Sequence, residues 1–208
     1  MTNNYVEERL DKVRELIQLS CQKSGRKPSE IKIIAVTKGV QVELMQEAYS
    51  CGLTLFGENR VQEAEKKLIF FQKESIQWHF IGQLQRNKIP KVVKYFHCIH
   101  SIDQEIQIQN LEKRLEAQRH NDYFPVFIQV NLTDKPTQGG IKKPNLIPLI
   151  RAIEPYKRIR VIGLMTIGSQ GSSDDIHREF QELFHLKQQI ENKKFDWISP
   201  ELELSMGM

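Results

Sequence analysis

The sequence predicts an α/β fold in which parallel strands and helices alternate and close into a (β/α) barrel of the TIM type. Short apolar segments rich in β-branched residues alternate along the chain with segments whose apolar residues recur at helical spacing. The apolar segments are continuous, which is typical of strands buried on both faces. No GxGxxG sequence follows the first of them, and this favours a barrel over the open, doubly wound sheet that the same alternation allows.

The predicted strands are short, and the first has the sequence IKIIAVTK at residues 31–38, after the turn residues GRKPS. Six more are predicted at residues 53–59, 78–84, 96–103, 124–132, 159–167 and 202–208. Apolar periodicity predicts helices before, between and after them, beginning with an amphipathic N-terminal segment. In the helix predicted at residues 145–153, Pro148 is expected in the first turn, where a missing N–H costs no hydrogen bond.

Composition indicates one soluble globular domain that spans residues 1–208. Hydrophobic residues make up 39% and charged residues 27% of the chain, close to the average for such proteins. Cys21, Cys51 and Cys98 form no paired framework, which fits a reducing compartment. The N-terminus lacks the apolar core of a signal peptide, and no apolar run approaches the ~20 residues that cross a bilayer. We therefore expect a cytoplasmic protein with no membrane partner.

The net charge is +4, with acidic and basic residues mixed along the chain. The densest basic stretch places Arg86, Lys88, Lys91 and Lys94 between apolar residues, which is the pattern of the solvent-facing side of a helix. We therefore expect no nucleic-acid partner. An RNA-binding module that uses this side of the helix is the alternative, and its affinity would fall steeply with salt.

Polar residues at the carboxyl ends of the strands are the candidates for chemistry, because active sites of (β/α) barrels lie there. Lys38 stands out since residues 31–37 before it include five apolar residues and end in a threonine, so its stem begins in the barrel wall. A lysine that emerges from such a wall can be desolvated, which keeps its amine free to attack a carbonyl carbon. The other interpretation is a strand-end lysine that reaches solvent, and the pattern alone establishes no cofactor.

No metal site is predicted. His97 and His100 flank Cys98, but residues 97 and 100 of a strand point to opposite faces, and no second cluster completes a ligand set. The GxSxG, Walker A and HExxH motifs are absent from the sequence, so nothing in it indicates a serine hydrolase, a nucleoside triphosphatase or a zinc protease.

Seven motifs follow one another along the chain: IIAVTK, FGENRVQEA, WHFIGQLQRNK, SID, VFIQVNLTDKPTQGGI, GLMTI and ELSMGM. In this order they resemble the pyridoxal phosphate homeostasis proteins, also called proline synthetase co-transcribed homologs. The resemblance runs from the N-terminal helix to the last residue. It implies a single-domain barrel like the alanine racemase N-terminal domain.

The resemblance also implies a cofactor, pyridoxal 5′-phosphate, held as a Schiff base on Lys38 of the AV(S/T)K motif. Asn59 of FGEN, Met165 of GLM, and Ser205 and Met206 of SMGM would lie near this cofactor. No catalytic residue is implied, because the family is thought to carry or buffer the reactive aldehyde. The expected role is vitamin B6 homeostasis by a monomer that passes the cofactor to apoenzymes.

The alternative function is a pyridoxal-dependent amino-acid racemase on the same barrel. Alanine racemases of this fold add a second domain and a tyrosine base from the partner subunit, and 208 residues leave no room for that domain. Carriage without efficient turnover is therefore the expected function.

The sequence departs from the family pattern in two places. Gly39 and Val40 stand where many relatives continue with a second lysine. The sequence also ends at SMGM, where relatives continue with a serine, a helix and a VRIG-type strand whose loop holds the phosphate. Either the protein itself is truncated or its sequence is incomplete at this end. A truncated chain is expected to form a barrel that lacks its last strand, binds the cofactor weakly and exposes aggregation-prone strand edges.

Overall fold

The computed structural model describes residues 5–72, 74–118, 122–133, 135 and 138–207. The chain divides into two compact units, one that ends at Trp78 and one that begins at His79. The interpretation of residues 1–208 as one domain stays a prediction. Among the described residues, no helix combines the length and the apolar character needed to cross a membrane.

The first unit alternates helices and strands as predicted. Its elements are α1 (Tyr5–Ser24), β1 (Ala35–Val36), α2 (Val42–Ser50), β2 (Leu55–Glu58) and α3 (Val61–Leu68), followed by the start of β3 (Gln77–Phe80). β1 and β2 are parallel, with Ala35 opposite Phe56. The rings of Phe56, Phe71 and Trp78 meet edge to face with centroids 5.7–6.2 Å apart and form the core of this unit.

The first strand is much shorter than the predicted residues 31–38, so that prediction was wrong in extent. A strand lasts only as long as its partner offers backbone groups. β2 begins at Leu55, and the carbonyl of the preceding Thr54 accepts a hydrogen bond from the Gln77 N–H at 2.8 Å. Because β2 spans only Leu55–Glu58, its ladder with β1 is limited to the pairs Ala35–Phe56 and Val36–Gly57.

The strands of the second unit that follow β3 are β4 (Cys98–Ile102), β5 (Phe124–Asn131), β6 (Ile141–Lys142), β7 (Ile159–Ile167) and β8 (Ile198–Gly207). Within the part of the chain that the structure describes, the parallel strands pair in the order β3, β4, β5, β7, β8, with β8 as the terminal strand. The helices are α4 (Ile89–Tyr95), α5 (Glu105–Ala117), α6 (Lys143–Ala152) and α7 (Ser173–Glu191). β6 pairs with β5 and was not predicted, because a strand of two residues leaves no periodic signal.

Apolar strand and helix faces form the core of this unit. Ile99, Val126, Ile128 and Leu164 are fully buried in the sheet, where continuous apolar runs were predicted. In α4, Ile89 and Val92 are buried. The basic side chains Arg86, Lys91 and Lys94 are exposed and Lys88 is half-buried, as expected for a solvent-facing side.

The position of Pro148 corrects one prediction. α6 begins at Lys143, two residues before the predicted start, with Pro144 in its first turn. Pro148 therefore lies inside the helix, where it cannot donate the hydrogen bond that the Pro144 carbonyl would otherwise accept.

Gly163 allows two strand pairings of the sheet to fit together. The β5–β7 register shifts at Phe127 and the β7–β8 register shifts at Gly163. A Cβ at position 163 would collide with the Glu203 carbonyl and with the Phe127 ring. The absent side chain of Gly163 thus leaves space for the Phe127 ring. It also allows the pairing of β7 with β8 that runs from Gly163 opposite Glu203 onward.

Candidate functional site

Lys38 lies in a tight turn directly after β1. The Thr37 N–H donates to the Gly57 carbonyl at 2.9 Å, and the Val40 N–H donates back to the Thr37 carbonyl at 2.9 Å. Gly39, at the third position of this turn, has φ +71°, a left-handed conformation that favours glycine. The Lys38 side chain is exposed, so the structure agrees with the interpretation of a strand-end lysine that reaches solvent and not with a desolvated one.

Asn59 follows β2 directly and is half-buried at the start of the segment that leads into α3. Because β1 and β2 are parallel, with Val36 opposite Gly57, Lys38 and Asn59 lie at the same end of this strand pair. The first unit therefore presents an accessible amine and an amide together, where the sequence predicted the cofactor-binding end of the strands.

A buried charge network that the sequence interpretation missed supports this end of the first unit. Lys67 Nζ donates to the Thr37 carbonyl at 2.6 Å and to Glu58 Oε1 at 2.7 Å. Thr37 Oγ1 donates to the same carboxylate oxygen at 2.7 Å. Thr37, Glu58 and Lys67 are all buried, and among the described residues no group hydrogen-bonds Glu58 Oε2.

The network fixes the backbone next to Lys38 while leaving the Lys38 side chain accessible. A buried charge is stable only when it is paired and hydrogen-bonded, so Glu58 and Lys67 hold each other in place. The one signal in the sequence was a lysine on an apolar helix face, since Val61, Ala64 and Lys67 recur every three residues and all are buried.

In the second unit, Met165 of β7 lies opposite Ser205 of β8, and Thr166 lies opposite Met206. Met165 is buried, Ser205 is half-buried and Met206 is exposed. Successive residues of a strand point to opposite faces, so Ser205 and Met206 project to different sides of β8. The structure thus brings Met165 and Ser205 together on neighbouring strands, whereas Met206 faces away from Ser205.

Ser205 belongs to a hydrogen-bonded chain of three side chains. His100 Nδ1 lies 2.8 Å from Ser205 Oγ, and His100 Nε2 lies 2.8 Å from His79 Nδ1. Three strand spacings of about 4.8 Å separate β4 from β8 in a flat sheet, too far for these two side chains to meet. The sheet of this unit therefore curls, and the chain of side chains lies on its concave side.

His100 is held in a dry environment as a neutral imidazole. Its ring is buried and stacks on Phe127, with centroids 4.3 Å apart. Burial, together with the neighbouring His79, lowers the pKa of His100 from 6.5 to about 3. A neutral imidazole has one N–H, so His100 donates either to Ser205 or to His79 and accepts from the other.

Several other polar residues at strand ends have structural roles. Asn131 Nδ2 donates to the Gln138 carbonyl at 2.8 Å and so closes its own loop. Thr166 Oγ1 donates to the Val130 carbonyl at 2.9 Å, and Ser101 Oγ donates to the Gly82 carbonyl. These side chains satisfy backbone groups, so they were candidates by position only.

Asp103 also belongs to this group of strand-end residues and is partly buried. Its Oδ2 accepts a hydrogen bond from the Gly140 N–H at 3.1 Å. Burial raises the pKa of Asp103. Hydrogen bonds with the Gly140 backbone and with the Gln107 side chain lower this pKa and partly offset the effect of burial.

Comparison with known proteins identifies the fold and a set of relatives. The profile of the family described as "Alanine racemase, N-terminal domain" matches residues 9–206. A pyridoxal phosphate homeostasis protein of Aquifex aeolicus is 35% identical over 202 residues, which cover 97% of this chain and 86% of that protein. A protein of Bifidobacterium adolescentis has a similar structure, with a TM-score of 0.88 and 27% identity over 98% of this chain and 85% of that one.

A third similar protein has a bound cofactor. PipY of Synechococcus elongatus, solved with PLP bound, has a TM-score of 0.70 and 25% identity, over 91% of this chain and 95% of that one. The predicted fold, that of the alanine racemase N-terminal barrel, is confirmed by these matches.

Proposed function

The chain belongs to the pyridoxal phosphate homeostasis proteins, which have the fold of the alanine racemase N-terminal domain, and from this premise we propose that it carries pyridoxal 5′-phosphate on Lys38. The observation that supports the site most directly is the exposed Lys38 amine at the carboxyl end of β1, on a backbone that the network of Thr37, Glu58 and Lys67 fixes.

The residues at this end of the first unit fit the chemistry of an aldehyde cofactor. Lys38 would hold the cofactor through its amine, which would condense with the aldehyde group and release one water molecule. The Asn59 side chain offers an amide donor at the same end of the strand pair. The cofactor, when bound, supplies an electron sink, and the protein supplies its position.

The remaining cofactor residues stay predictions that rest on the resemblance. Met165 offers an apolar surface, and Ser205 offers a hydroxyl group that lies 2.8 Å from His100 Nδ1. Met206 is exposed and offers apolar surface on the other side of β8. Each of these three residues is expected to affect cofactor affinity when it is replaced.

We propose a carrier role in the cytoplasm, by a monomer that delivers the cofactor to apoenzymes. Cys21, Cys51 and Cys98 form no disulfide, which supports a reducing compartment. A racemase is the second candidate, because the chain from Ser205 through His100 to His79 is able to relay a proton. Chiral analysis after incubation with single amino acids distinguishes the two functions, since turnover above that of free pyridoxal phosphate would contradict a pure carrier.

The test of the proposal is the near-visible spectrum of the purified protein after addition of pyridoxal phosphate. We expect a Schiff-base band in the parent and in Lys66→Ala, an exposed lysine of α3 that serves as the matched control. Lys38→Ala should lack the band. Borohydride reduction followed by peptide mass mapping should place the adduct on Lys38, and a band that survives in Lys38→Ala would overturn the site.

A further inference from the structure

Two histidines and a cysteine of the second unit place their ligand atoms within 4.8 Å of one another. His79 of β3 lies opposite Cys98 of β4 in the parallel register, and His100 follows two residues later on the same face of β4. The sequence objection to a metal site was that His97 and His100 point apart. The structure replaces His97, which is exposed, by His79 from the neighbouring strand.

We propose that His79, Cys98 and His100 bind one Zn²⁺ ion through His79 Nδ1, His100 Nε2 and Cys98 Sγ. The two imidazole nitrogens face each other at 2.8 Å. Tetrahedral zinc with bonds of about 2.0–2.1 Å to nitrogen and about 2.3 Å to sulfur requires separations of about 3.3 Å between the two nitrogens and about 3.6 Å between sulfur and each nitrogen. The nitrogens must therefore move apart by roughly 0.5 Å, and Cys98 Sγ, which lies within 4.8 Å of them, must approach by at most about 1.2 Å.

The ligand set indicates the class of metal. Two imidazoles and a thiolate are nitrogen and sulfur donors, which suit zinc, whereas magnesium and calcium require oxygen donors. Three protein ligands leave the fourth position of zinc open for water or for an exogenous ligand. Cys98 and His100 are buried, and His79 is half-buried, so the ion enters from the His79 side.

The surroundings orient the ligands as a metal centre requires. Metal-bound histidines donate their second N–H to a fixed partner. Here His100 Nδ1 has Ser205 Oγ at 2.8 Å, and the Phe127 ring stacks on the imidazole. Cys98 packs with Phe127 and Met165 in one buried cluster, which excludes bulk water from the thiolate side.

Metal binding has a defined proton balance. The Cys98 thiol loses its proton when sulfur bonds to Zn²⁺. His79 and His100 bind as neutral imidazoles, with the remaining hydrogen on His79 Nε2 and on His100 Nδ1. One proton is therefore released to solvent for each ion bound, and the ion fixes His100 as a donor to Ser205.

The experiment is titration of chelator-treated protein with Zn²⁺ by calorimetry in buffers of different ionisation enthalpy, with Co²⁺ as a spectroscopic probe. We expect one site per chain, one proton released, and the ultraviolet charge-transfer band of a cobalt–thiolate bond. Cys98→Ser and His79→Gln should weaken binding about 100-fold or more, and Ser205→Ala about 10-fold to 100-fold. His97→Gln, Cys21→Ser and Cys51→Ser are the matched controls and should bind as the parent does.

Absence of Zn²⁺ binding to the parent, or binding without the thiolate band, would overturn the assignment. Equal affinity in Cys98→Ser would do the same. Circular dichroism shows whether each variant is folded. Should Cys98→Ser fail to fold, the cobalt spectra of the parent, Cys21→Ser and Cys51→Ser decide. The band requires a cysteine ligand, and a band that persists in both variants assigns that ligand to Cys98.

Discussion

The residues around Lys38 show how a short strand positions an exposed side chain. Thr37 uses its N–H, its carbonyl and its hydroxyl in hydrogen bonds to groups of the first unit. Lys38, one residue later, has its side chain in solvent. The hydrogen bonds of Thr37 fix the backbone next to Lys38, whereas the exposed Lys38 side chain extends into solvent.

Asp103 gives a prediction at the scale of one residue. Burial raises the pKa of Asp103 above the ordinary value of 3.8 for an aspartic acid side chain, so the folded state binds more protons than the unfolded state between pH 3.8 and the raised pKa. The free energy of unfolding therefore falls as the pH rises through this window. Asp103→Asn cannot lose a proton in this pH range. The unfolding free energy of Asp103→Asn, relative to that of the parent, should therefore increase as the pH rises from 3.8 to the raised pKa.

Urea denaturation at a series of pH values measures this difference. Asp196→Asn, at an exposed position, is the control and should follow the parent at every pH. A constant offset between Asp103→Asn and the parent at all pH values would show that titration of Asp103 is not linked to folding.

Lys67 of helix α3 forms a buried ion pair with Glu58 at the end of β2, and this pair gives a prediction at the scale of the element. Lys67→Met leaves the Glu58 carboxylate buried without its partner at 2.7 Å, which costs on the order of 3 kcal/mol of unfolding free energy. Adding Glu58→Gln to Lys67→Met removes the unpaired negative charge and should recover part of the lost unfolding free energy. Chemical denaturation measures both, with the exposed Lys66→Met as control; equal losses in Lys66→Met and Lys67→Met would contradict the role of the buried pair.

The pairing of β7 with its two neighbours depends on Gly163. Gly163→Ala would place a methyl group against the Glu203 carbonyl and the Phe127 ring, and such overpacking typically costs about 1–3 kcal/mol. Gly207→Ala is the matched control, because no atom lies within 4 Å of the Cβ that it adds. Thermal unfolding should show a clear loss for the first variant and almost none for the second, and similar losses in both would indicate a general intolerance of alanine in these strands.

The elements themselves were largely predictable from the sequence, because each apolar run has its own periodicity. β7 has the predicted bounds, and β5 differs by one residue. β1 and β6 were not predictable in extent, since their ends depend on backbone groups of partner strands. Lys38 and Asn59 were identified through motifs, whereas Lys67, His79 and His100 acquire their roles from contacts between residues 9 to 105 positions apart.

At the scale of the whole molecule, the chain covers most, but not all, of the length of the relatives that it matches. The chain covers 86% of the Aquifex aeolicus protein and 85% of the Bifidobacterium adolescentis chain. The expected weak binding of the cofactor and the exposed edge of the terminal strand stay predictions. Cofactor affinity and exposure of a strand edge are properties of the whole folded chain, so measurements of its unfolding test them.

Ligand linkage gives a prediction for the whole chain. A ligand that binds only the native state adds about 2.7 kcal/mol of stability at 100 times its Kd. Pyridoxal phosphate should therefore raise the Tm of the parent and of Lys66→Ala, and it should have a much smaller effect on Lys38→Ala. Differential scanning calorimetry measures the shift; an equal shift in all three proteins would mean that Lys38 is not the point of attachment.

The chain Ser205–His100–His79 has a direction, because each link shares one hydrogen and the central imidazole is neutral. An acceptor beside Ser205 turns the hydroxyl hydrogen outward, so His100 must donate to Ser205 and accept from His79. A donor beside Ser205 reverses every link. Whether the group beside Ser205 on β8 accepts or donates a hydrogen bond thus determines which ring nitrogen of His79 on β3 carries the hydrogen, with no heavy atom displaced. The ¹⁵N chemical shifts of the His79 ring should therefore differ between the two cases.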